Sequence, residues 1–283
     1  MVDKPAGPTS HDAVAMLRRA LRTRRVGHAG TLDPFATGLL LVLVGSATRL
    51  ARYLAGLPKR YRGLIRLGWS TDTDDATGVP GAASDAWRLL SDDAIARAME
   101  GLIGARRQVP PTYSAKHVGG ERAHRRARRG EAVALEPVAV EIQRFTLVDR
   151  AEQDVAFETD VSSGTYVRSL ARELGEQLGC GAHLVALRRL TTGPFTVEEA
   201  VHLDADGTTL GAALRPCRDA VRHLPAVPVD ADGAARLRHG RPMALPGEPT
   251  AGWVALVSSE TGALVAVGEV SGGEVHPRVV LEP

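Results

Sequence analysis

Two runs of alternating apolar residues place the tightest limit on how this chain can fold. Val138, Val140 and Ile142 alternate with other residues, and Val, Phe, Thr and Val repeat the pattern at 155–161. A period of two predicts β-strands. The next segment, SSGTYVRSLARELGEQLG at 162–179, changes to apolar residues three or four apart and ends in glycine. We therefore expect two strands followed directly by an amphipathic helix.

The remaining patterns mix strands and helices without regular alternation. Leu39–Val44 is an unbroken apolar run of strand length, typical of a fully buried strand. Ser10 is placed to cap a helix whose apolar residues Val14, Leu17 and Leu21 follow helical spacing. Because strands and helices do not form repeated β-α-β units, the patterns predict an α+β fold with a mixed sheet.

The C-terminal part of the chain has a different character. Residues 224–233 (LPAVPVDADG) are rich in proline and small polar residues, which indicates a linker. Beyond them, WVALV, ALVAVGEV and HPRVVL are short strand-like pieces separated by turns that contain glycine. We expect a larger domain over 1–224 and a small all-β domain over 225–283.

The charge of the chain is concentrated in blocks, although 35 Lys and Arg nearly balance 33 Asp and Glu. Residues 1–66 carry twelve Lys or Arg against three acids, and residues 105–130 carry eight against one. Two basic blocks on a near-neutral chain fit either a surface that binds a polyanion or two solvated faces. The charge alone does not separate these two readings.

Composition excludes several classes of protein. The longest apolar run, Leu39–Val44, is far shorter than the roughly 20 residues of a membrane span. No charged leader with an apolar core opens the chain, and Cys180 and Cys217 form no C-x-x-C pair. Phosphate-loop, zinc-protease and dinucleotide motifs are absent, and TDTDDATG at 71–78 lacks the glycine and glutamate of a calcium loop. We expect a cytoplasmic protein without metal or cofactor.

One aspartate stands out from its surroundings. Asp33 lies among small residues in GHAGTLDPFATGLL, between an arginine-rich stretch and the apolar run. Taken alone, an aspartate before proline is typical of a turn or a helix cap. Five further segments change its interpretation when they are read in order along the chain. They are DKPAGPTSHD (3–12), KRYRGLIRLGWSTDTDDATG (59–78), QVPPTYSAKHVGGERAHRRARRGE (108–131), SSGTYVRSLARELG (162–175) and GAHLVALRRLTTGPF (181–195).

Together the six segments closely resemble the bacterial tRNA pseudouridine synthase B family, which isomerises the T-loop uridine at tRNA position 55. The resemblance implies a pseudouridine synthase fold, with a mixed, mainly antiparallel sheet flanked by helices. It implies a catalytic domain over 1–224. More weakly, the C-terminal part resembles the small PUA-type domain of this family.

The resemblance also assigns chemistry to named residues. Asp33 matches the catalytic aspartate, which acts as a nucleophile or base. Arg168 matches the arginine that pairs with this aspartate, and Tyr166 matches a tyrosine assigned to proton transfer. Whether the carboxylate attacks the uracil ring or the ribose stays open.

Other matched residues belong to the recognition of the uridine. A uridine inside a folded loop has to be flipped out before it can react. Tyr61 matches the aromatic residue that stacks on the target base, and Leu187 matches an apolar contact of the uracil pocket. His28 matches the residue that fills the space left by the flipped base.

Residues 105–131 correspond to the segment with which this family grips the RNA. Arginines that contact phosphates would give affinity, and the shape of the RNA loop would give selectivity. The candidate gripping residues are Lys4, Arg122, Arg125, Arg126, Arg128 and Arg129. For Lys4, contact with RNA and support of the fold are both open. Lys116 and His117 depart from the family pattern, as does His124.

These observations predict an isomerase that acts on the T-stem-loop of tRNA, as a monomer and without a membrane partner. A non-catalytic protein that binds or folds RNA is the main alternative. It explains the arginines but not Asp33, whose negative charge opposes RNA binding. A hydrolase with an aspartate nucleophile is the third reading, and it lacks a second carboxylate in a suitable motif.

Overall fold

The structure, a computed structural model, describes residues 1–114, 117–118, 121–122, 126, 129, 131, 135–244 and 251–281. The chain divides into two compact units. Unit 1 contains Met1–Pro34, Leu39–Ala55 and Gly193–Pro283, and unit 2 contains Phe35–Gly38 and Gly56–Thr192. No helix within the described ranges is long and apolar enough to cross a membrane.

Among the described residues, strands outnumber helices in both units. The α-helices of the described residues are, in chain order, α1 (Ser10–Ala20), α2 (Ala51–Ala55), α3 (Asp92–Glu100), α4 (Val167–Gln177), α5 (Gly207–Ala212) and α6 (Ala231–Arg238). The strands of the first two thirds are β1 (Val2–Lys4), β2 (Val26–Ala29), β3 (Thr37–Val44), β4 (Lys59–Leu67), β5 (Gly104–Gln108), β6 (His117–Val118), β7 (Glu121–Arg122), β8 (Val138–Ala151) and β9 (Asp154–Val161). The later strands are β10 (Ala182–Thr192), β11 (Phe195–Thr196), β12 (Val201–His202), β13 (Ala226–Val229), β14 (Met243–Ala244), β15 (Gly252–Ser258), β16 (Leu264–Ser271) and β17 (Glu274–Val280).

Unit 2 is built on a mainly antiparallel sheet. Its strand order is β10-β4-β9-β8-β5, with each neighbouring pair antiparallel. The first residues of β3 pair with β10 in parallel, so the sheet is mixed, as the sequence predicts. Helix α4 packs against β10 and α3 packs against β8. Strands β6 and β7 form a separate two-stranded sheet.

The alternation along β4 separates a buried face from a charged one. Tyr61 and Ile65 are buried, whereas the three arginines between and beside them point to the other face. These arginines form ion pairs with acids of β9. The pairs are Arg60–Asp160 at 2.6 Å, Arg62–Glu158 at 2.7 Å and Arg66–Asp154 at 2.6 Å. These ion pairs therefore neutralise part of the positive charge of residues 1–66.

Unit 1 contains two groups of strands. In the first, β1 lies between β12 and β3, and β2 pairs with β3 antiparallel. In the second, the order is β13-β15-β16-β17-β14, and helix α6 packs on this sheet. Leu237 of α6, Leu256 of β15 and Val275 of β17 are fully buried in its core. Burying a side chain of this size stabilises the fold by about 1.5–3 kcal/mol.

The predicted strands at 138–142, 155–161 and 39–44 are confirmed, as is the helix that follows Val161. Other predictions need correction. The cap of α1 is Thr9, whose hydroxyl accepts from the Asp12 amide in a capping box, and not Ser10. The predicted linker at 224–233 instead contains β13, which pairs in parallel with β15. The C-terminal part also contains helix α6, capped by Asp230, and so is not purely β.

Candidate active site

The loop that carries Asp33 is fixed on both sides of this residue. Before it, Ser10 Oγ donates to the Leu32 carbonyl at 3.1 Å and accepts from the Leu32 amide at 2.8 Å. After it, the Pro34 carbonyl accepts from Lys4 Nζ at 3.2 Å and from the Gly7 amide at 2.8 Å. Asp33 itself is half-buried. Ser10, which does not cap α1, thus holds the backbone next to the candidate catalytic carboxylate.

Lys4 is fully buried, with none of its surface exposed. Besides Pro34, its ammonium group donates to the carbonyls of Pro5 at 2.8 Å and Pro8 at 2.9 Å. A buried cation with this many backbone acceptors serves the fold. The geometry therefore favours the supporting role over the contact with RNA that the sequence left open.

Replacing Lys4 with methionine is expected to lower the free energy of unfolding by about 2–4 kcal/mol, because buried carbonyls lose charged donors. Urea denaturation of the parent and the variant measures this change. Arg24→Met is the control, since Arg24 is an exposed cation of the same basic block. A Lys4→Met protein with parental stability and weakened tRNA binding would instead make Lys4 an RNA contact.

His28 lies on a strand and not in a turn. It is half-buried on β2, and its register partner on β3 is Val42. The strand pairing fixes the backbone at this position, although the neighbouring glycine by itself suggests a turn. Its role in filling the space of a flipped base stays a prediction.

Tyr61 and Leu187 lie on the same face of the sheet of unit 2. Tyr61 of β4 is paired with Arg189 of β10, and Leu187 is paired with Gly63. Residues paired across antiparallel strands point to the same face, as do residues two apart on one strand. Gly63 has to be glycine, because a Cβ there would lie within 2.7 Å of the Ala186 carbonyl oxygen. The structure thus brings together two residues whose sequence positions are 126 apart.

Two cations on this buried face were not identified from the sequence. Arg189 is 1% exposed and Lys59 is 9% exposed. Burial, together with the charge of Arg189, lowers the pKa of Lys59 to about 8. Lys59 Nζ donates to the Leu57 carbonyl at 2.6 Å. The alternation along β4 is a signal that could have predicted Lys59 on the same face as Tyr61, because residues 59 and 61 are two positions apart.

Two further candidate residues lie at the start of α4. Tyr166 directly precedes the helix, and its backbone amide donates to Gln108 Oε1 at 2.8 Å. Arg168 is 5% exposed and is held by several acceptors. Its Nη1 donates to the Thr73 carbonyl at 3.0 Å and its Nη2 to the Tyr113 carbonyl at 3.1 Å. Nη1 also lies 3.5 Å from Asp75 Oδ2, so a buried ion pair fixes the guanidinium.

The acidic loop at 71–78 holds Arg168, a function that was not predicted from the sequence. Asp75 Oδ1 accepts from Thr73 Oγ1 at 2.8 Å, from the Thr77 amide at 3.0 Å and from Thr77 Oγ1 at 2.6 Å. This leaves Oδ2 for the arginine. Its neighbour Asp74 pairs with Arg172, yet burial raises the pKa of Asp74 to about 6. The Thr and Asp residues of this segment were compared only with a calcium loop, so its partner on α4 was not predicted.

Only part of the predicted gripping residues belongs to the described chain. Arg126 Nε and Arg129 Nε pair with the carboxylate of Glu131 at 2.8 and 2.6 Å. Hydrogen bonds from Arg129 and Arg126 lower the pKa of Glu131. Arg122 lies on β7, and its side chain falls outside the described residues, as do Arg125 and Arg128. Within the described ranges, no three His, Cys, Asp or Glu side chains are grouped so that they could hold a metal ion.

Comparison with known proteins identifies the family. A family model described as the TruB family pseudouridylate synthase, N-terminal domain, matches residues 18–167. This is more than half of the chain. The chain belongs to the TruB family of pseudouridylate synthases. Two further models of TruB-family C-terminal domains match residues 168–220 and 225–281. The predicted family is therefore confirmed, together with the prediction of an enzyme of the isomerase class.

Relatives of the TruB family match along their full length. The tRNA pseudouridine synthase B of Roseobacter denitrificans is 43% identical, over 100% of this chain and 95% of its own. The protein of the same name from Thermobifida fusca is 45% identical, over 99% of this chain and 97% of its own. In both matches, at least 95% of the relative's own chain is covered.

Solved structures support the same fold. A chain from an H/ACA RNP bound to a substrate RNA containing 2'-deoxyuridine matches with a TM-score of 0.76 and 27% identity, over 100% of this chain and 84% of that chain. A chain from a Cbf5-Nop10-Gar1 complex matches with a TM-score of 0.75 and 28% identity, over 100% and 84%. The TruB-family fold predicted from the sequence is confirmed, whereas the roles of individual residues stay predictions.

Proposed function

We propose that the chain converts the T-loop uridine at position 55 of tRNA to pseudouridine. The observation that carries this proposal is the full-length match, at 43% and 45% identity, to relatives named tRNA pseudouridine synthase B. The fixed loop of Asp33 and the buried, acid-paired Arg168 support it, because a catalytic carboxylate and a charged partner need defined positions. The compartment, predicted to be the cytoplasm, and the monomeric state stay predictions.

The reaction is an isomerisation that keeps every atom of the nucleoside except one exchanged proton. The bond from ribose C1′ to uracil N1 breaks, the base rotates, and a bond from C1′ to uracil C5 forms. The proton on C5 leaves to solvent, and N1, which carries no proton while it is bonded to ribose, gains one. A carboxylate at position 33 can begin this sequence by attack at uracil C6 or at ribose C1′, and both routes need the same ionised group.

The remaining candidates have supporting roles in the proposal. Tyr61 stacks on the flipped base and Leu187, on the same sheet face, gives it an apolar contact. Tyr166 takes part in the proton transfer, and Arg168 is the charge partner of Asp33. His28 fills the space that the base leaves in the RNA loop. The resemblance is the source of these roles.

Raising the salt concentration is expected to weaken tRNA binding steeply. If the arginines of residues 105–131 contact several phosphates, the logarithm of the association constant falls against the logarithm of salt with a slope of about −3 or steeper. Filter binding between low and moderate salt measures the slope. Arg126→Ala and Arg129→Ala are each expected to reduce it by up to about 1. A flat response in the parent would remove the gripping role.

The direct test uses transcribed tRNA, which contains no modified bases. After incubation with the protein, carbodiimide labelling and mass spectrometry detect pseudouridine, and primer extension locates it. A transcript with cytidine at position 55 is the control. We expect a single labelled site at position 55. Unlabelled but bound tRNA would favour the non-catalytic RNA-binding protein, and release of free uracil would favour a hydrolase.

A further inference from the structure

The part of the gripping segment that directly follows β5 is held by the first turns of α4. Ser169 Oγ donates to the Val109 carbonyl at 2.8 Å, and Arg172 Nη2 donates to the same oxygen at 2.9 Å. Four residues later, the Tyr113 carbonyl accepts from Arg168 Nη2 at 3.1 Å. Both ends of residues 109–113, which we call the strut, are thus fixed to one helix.

The strut is stiff between these two points. Pro110 and Pro111 have no amide hydrogen, and their rings fix φ. The residue before each proline is also restricted to extended conformations. Both prolines are buried. A stiff segment that is fixed at both ends transmits a displacement instead of absorbing it, so a shift of Tyr113 acts on Arg168.

Gln108, the last residue of β5, contacts the residue that directly precedes α4. It is fully buried at the end of β5, and its Oε1 accepts from the Tyr166 amide. Tyr166 is the N-cap residue of α4 but gives the helix no side-chain hydrogen bond. The side chain of Gln108 therefore ties the backbone of Tyr166, a candidate catalytic residue, to the position directly before the strut.

Ser169 connects α4 to the first residue of the strut. It is fully buried, and its hydroxyl is used for the Val109 carbonyl, which belongs to another element. Val109 is 44% exposed, so its own side chain adds little apolar burial at this end of the strut. The hydrogen bonds to the Val109 carbonyl therefore fix this end together with the burial of Pro110 and Pro111.

We propose that Ser169 and Gln108 are positioning residues, which hold the strut against α4 and so couple RNA bound by the gripping segment to the placement of Arg168 and Tyr166. This inference rests on the proposed function. Neither residue touches the substrate in the proposal. Ser169 acts through Val109 and the strut, and Gln108 acts through the backbone of Tyr166. RNA binding and the chemical step thereby depend on the same few hydrogen bonds.

The test compares Ser169→Ala with Ser169→Thr, which keeps the hydroxyl. Single-turnover pseudouridine formation is measured with enzyme in excess and at saturation. Ser169→Ala is expected to lower the rate constant about 3- to 10-fold, the effect of about one lost hydrogen bond on the placement of the reacting groups. Ser169→Thr is expected to restore most of it. Gln108→Leu, which removes the acceptor for the Tyr166 amide, is expected to show a loss of the same size.

Ser259→Ala is the matched control, because Ser259 Oγ donates to the Val229 carbonyl at 3.0 Å in the C-terminal part of the chain. It should lower the melting temperature without changing the rate constant. A double variant adds a second test. Once Arg168→Lys has released the Tyr113 end of the strut, Ser169→Ala should lower the rate less than it does in the parent.

Three outcomes decide the inference. A rate loss rescued by threonine and reduced in the Arg168→Lys background supports the coupling. A Ser169→Ala protein that loses only melting temperature, as Ser259→Ala does, overturns it. Additive losses in the double variant also overturn it, since two independent contacts would then be involved. A parent protein that forms no pseudouridine at all refutes the proposed function, and this result is distinct from the other three.

Discussion

Replacing Asp33 with asparagine is expected to abolish pseudouridine formation, with a loss of more than about 10³-fold, while tRNA binding stays near the parental value. The amide has nearly the shape of the carboxyl group but cannot act as a nucleophile or base. The loop is fixed by the backbone of Leu32 and Pro34 and by the side chains of Ser10 and Lys4, so the substitution should leave the loop in place. Tritium release from tRNA labelled at uracil C5 measures the reaction.

Asp204→Asn is the control, because Asp204 is an exposed carboxylate of the same unit with no predicted role. It should release tritium at the parental rate. Removing a negative charge at position 33 should, if anything, strengthen RNA binding, which filter binding will detect. An Asp33→Asn protein that still releases tritium would refute the catalytic role. One that no longer binds tRNA would make Asp33 a structural residue.

Local sequence pattern was sufficient for much of the fold. The alternation at 138–142 and 155–161 gave β8 and β9, because one face of each strand is buried and that face is visible in the sequence. The cap of α1 was misplaced by one residue, since Thr9 and Ser10 are both good caps and only tertiary contacts separate them. Ser10 is used by Leu32, which lies 22 residues further along the chain. Helix α6 was not predicted, because its first residues follow a stretch of prolines and small residues that indicates a linker.

The residues of the candidate site could be predicted only where they belong to a family motif. Asp33, Tyr61 and Arg168 came from the family resemblance, and charge patterning by itself left two readings open. The basic block of residues 1–66 overstated the free positive charge, because Arg60, Arg62 and Arg66 pair with acids about 90 to 100 residues away. Pairing across strands depends on register, which the sequence of one strand does not contain. The acidic loop at 71–78 was missed as a partner of Arg168 because this contact is tertiary and joins a loop to a helix about 90 residues further along the chain.

Replacing Arg168 with lysine is expected to lower the rate of pseudouridine formation about 10²-fold, because a small misplacement of a catalytic group has an effect of this size. Lysine keeps the charge but lacks the planar fork that reaches Asp75, the Thr73 carbonyl and the Tyr113 carbonyl together. The buried acceptors left without donors should lower the free energy of unfolding by about 2 kcal/mol. Single-turnover kinetics at saturating enzyme and urea denaturation measure the two effects separately.

Arg150→Lys separates the kinetic effect from the loss of stability. Arg150 also donates to backbone carbonyls, those of Leu90, Trp87 and Glu152, and pairs with Asp92 at 3.0 Å. It has no predicted role in the reaction, so its replacement should lower stability by a similar amount and leave the rate unchanged. If Arg168→Lys matched Arg150→Lys in both measurements, the contacts of Arg168 with the acidic loop would serve the fold alone. A rate loss confined to Arg168→Lys would mean that the acidic loop orients this guanidinium for the reaction.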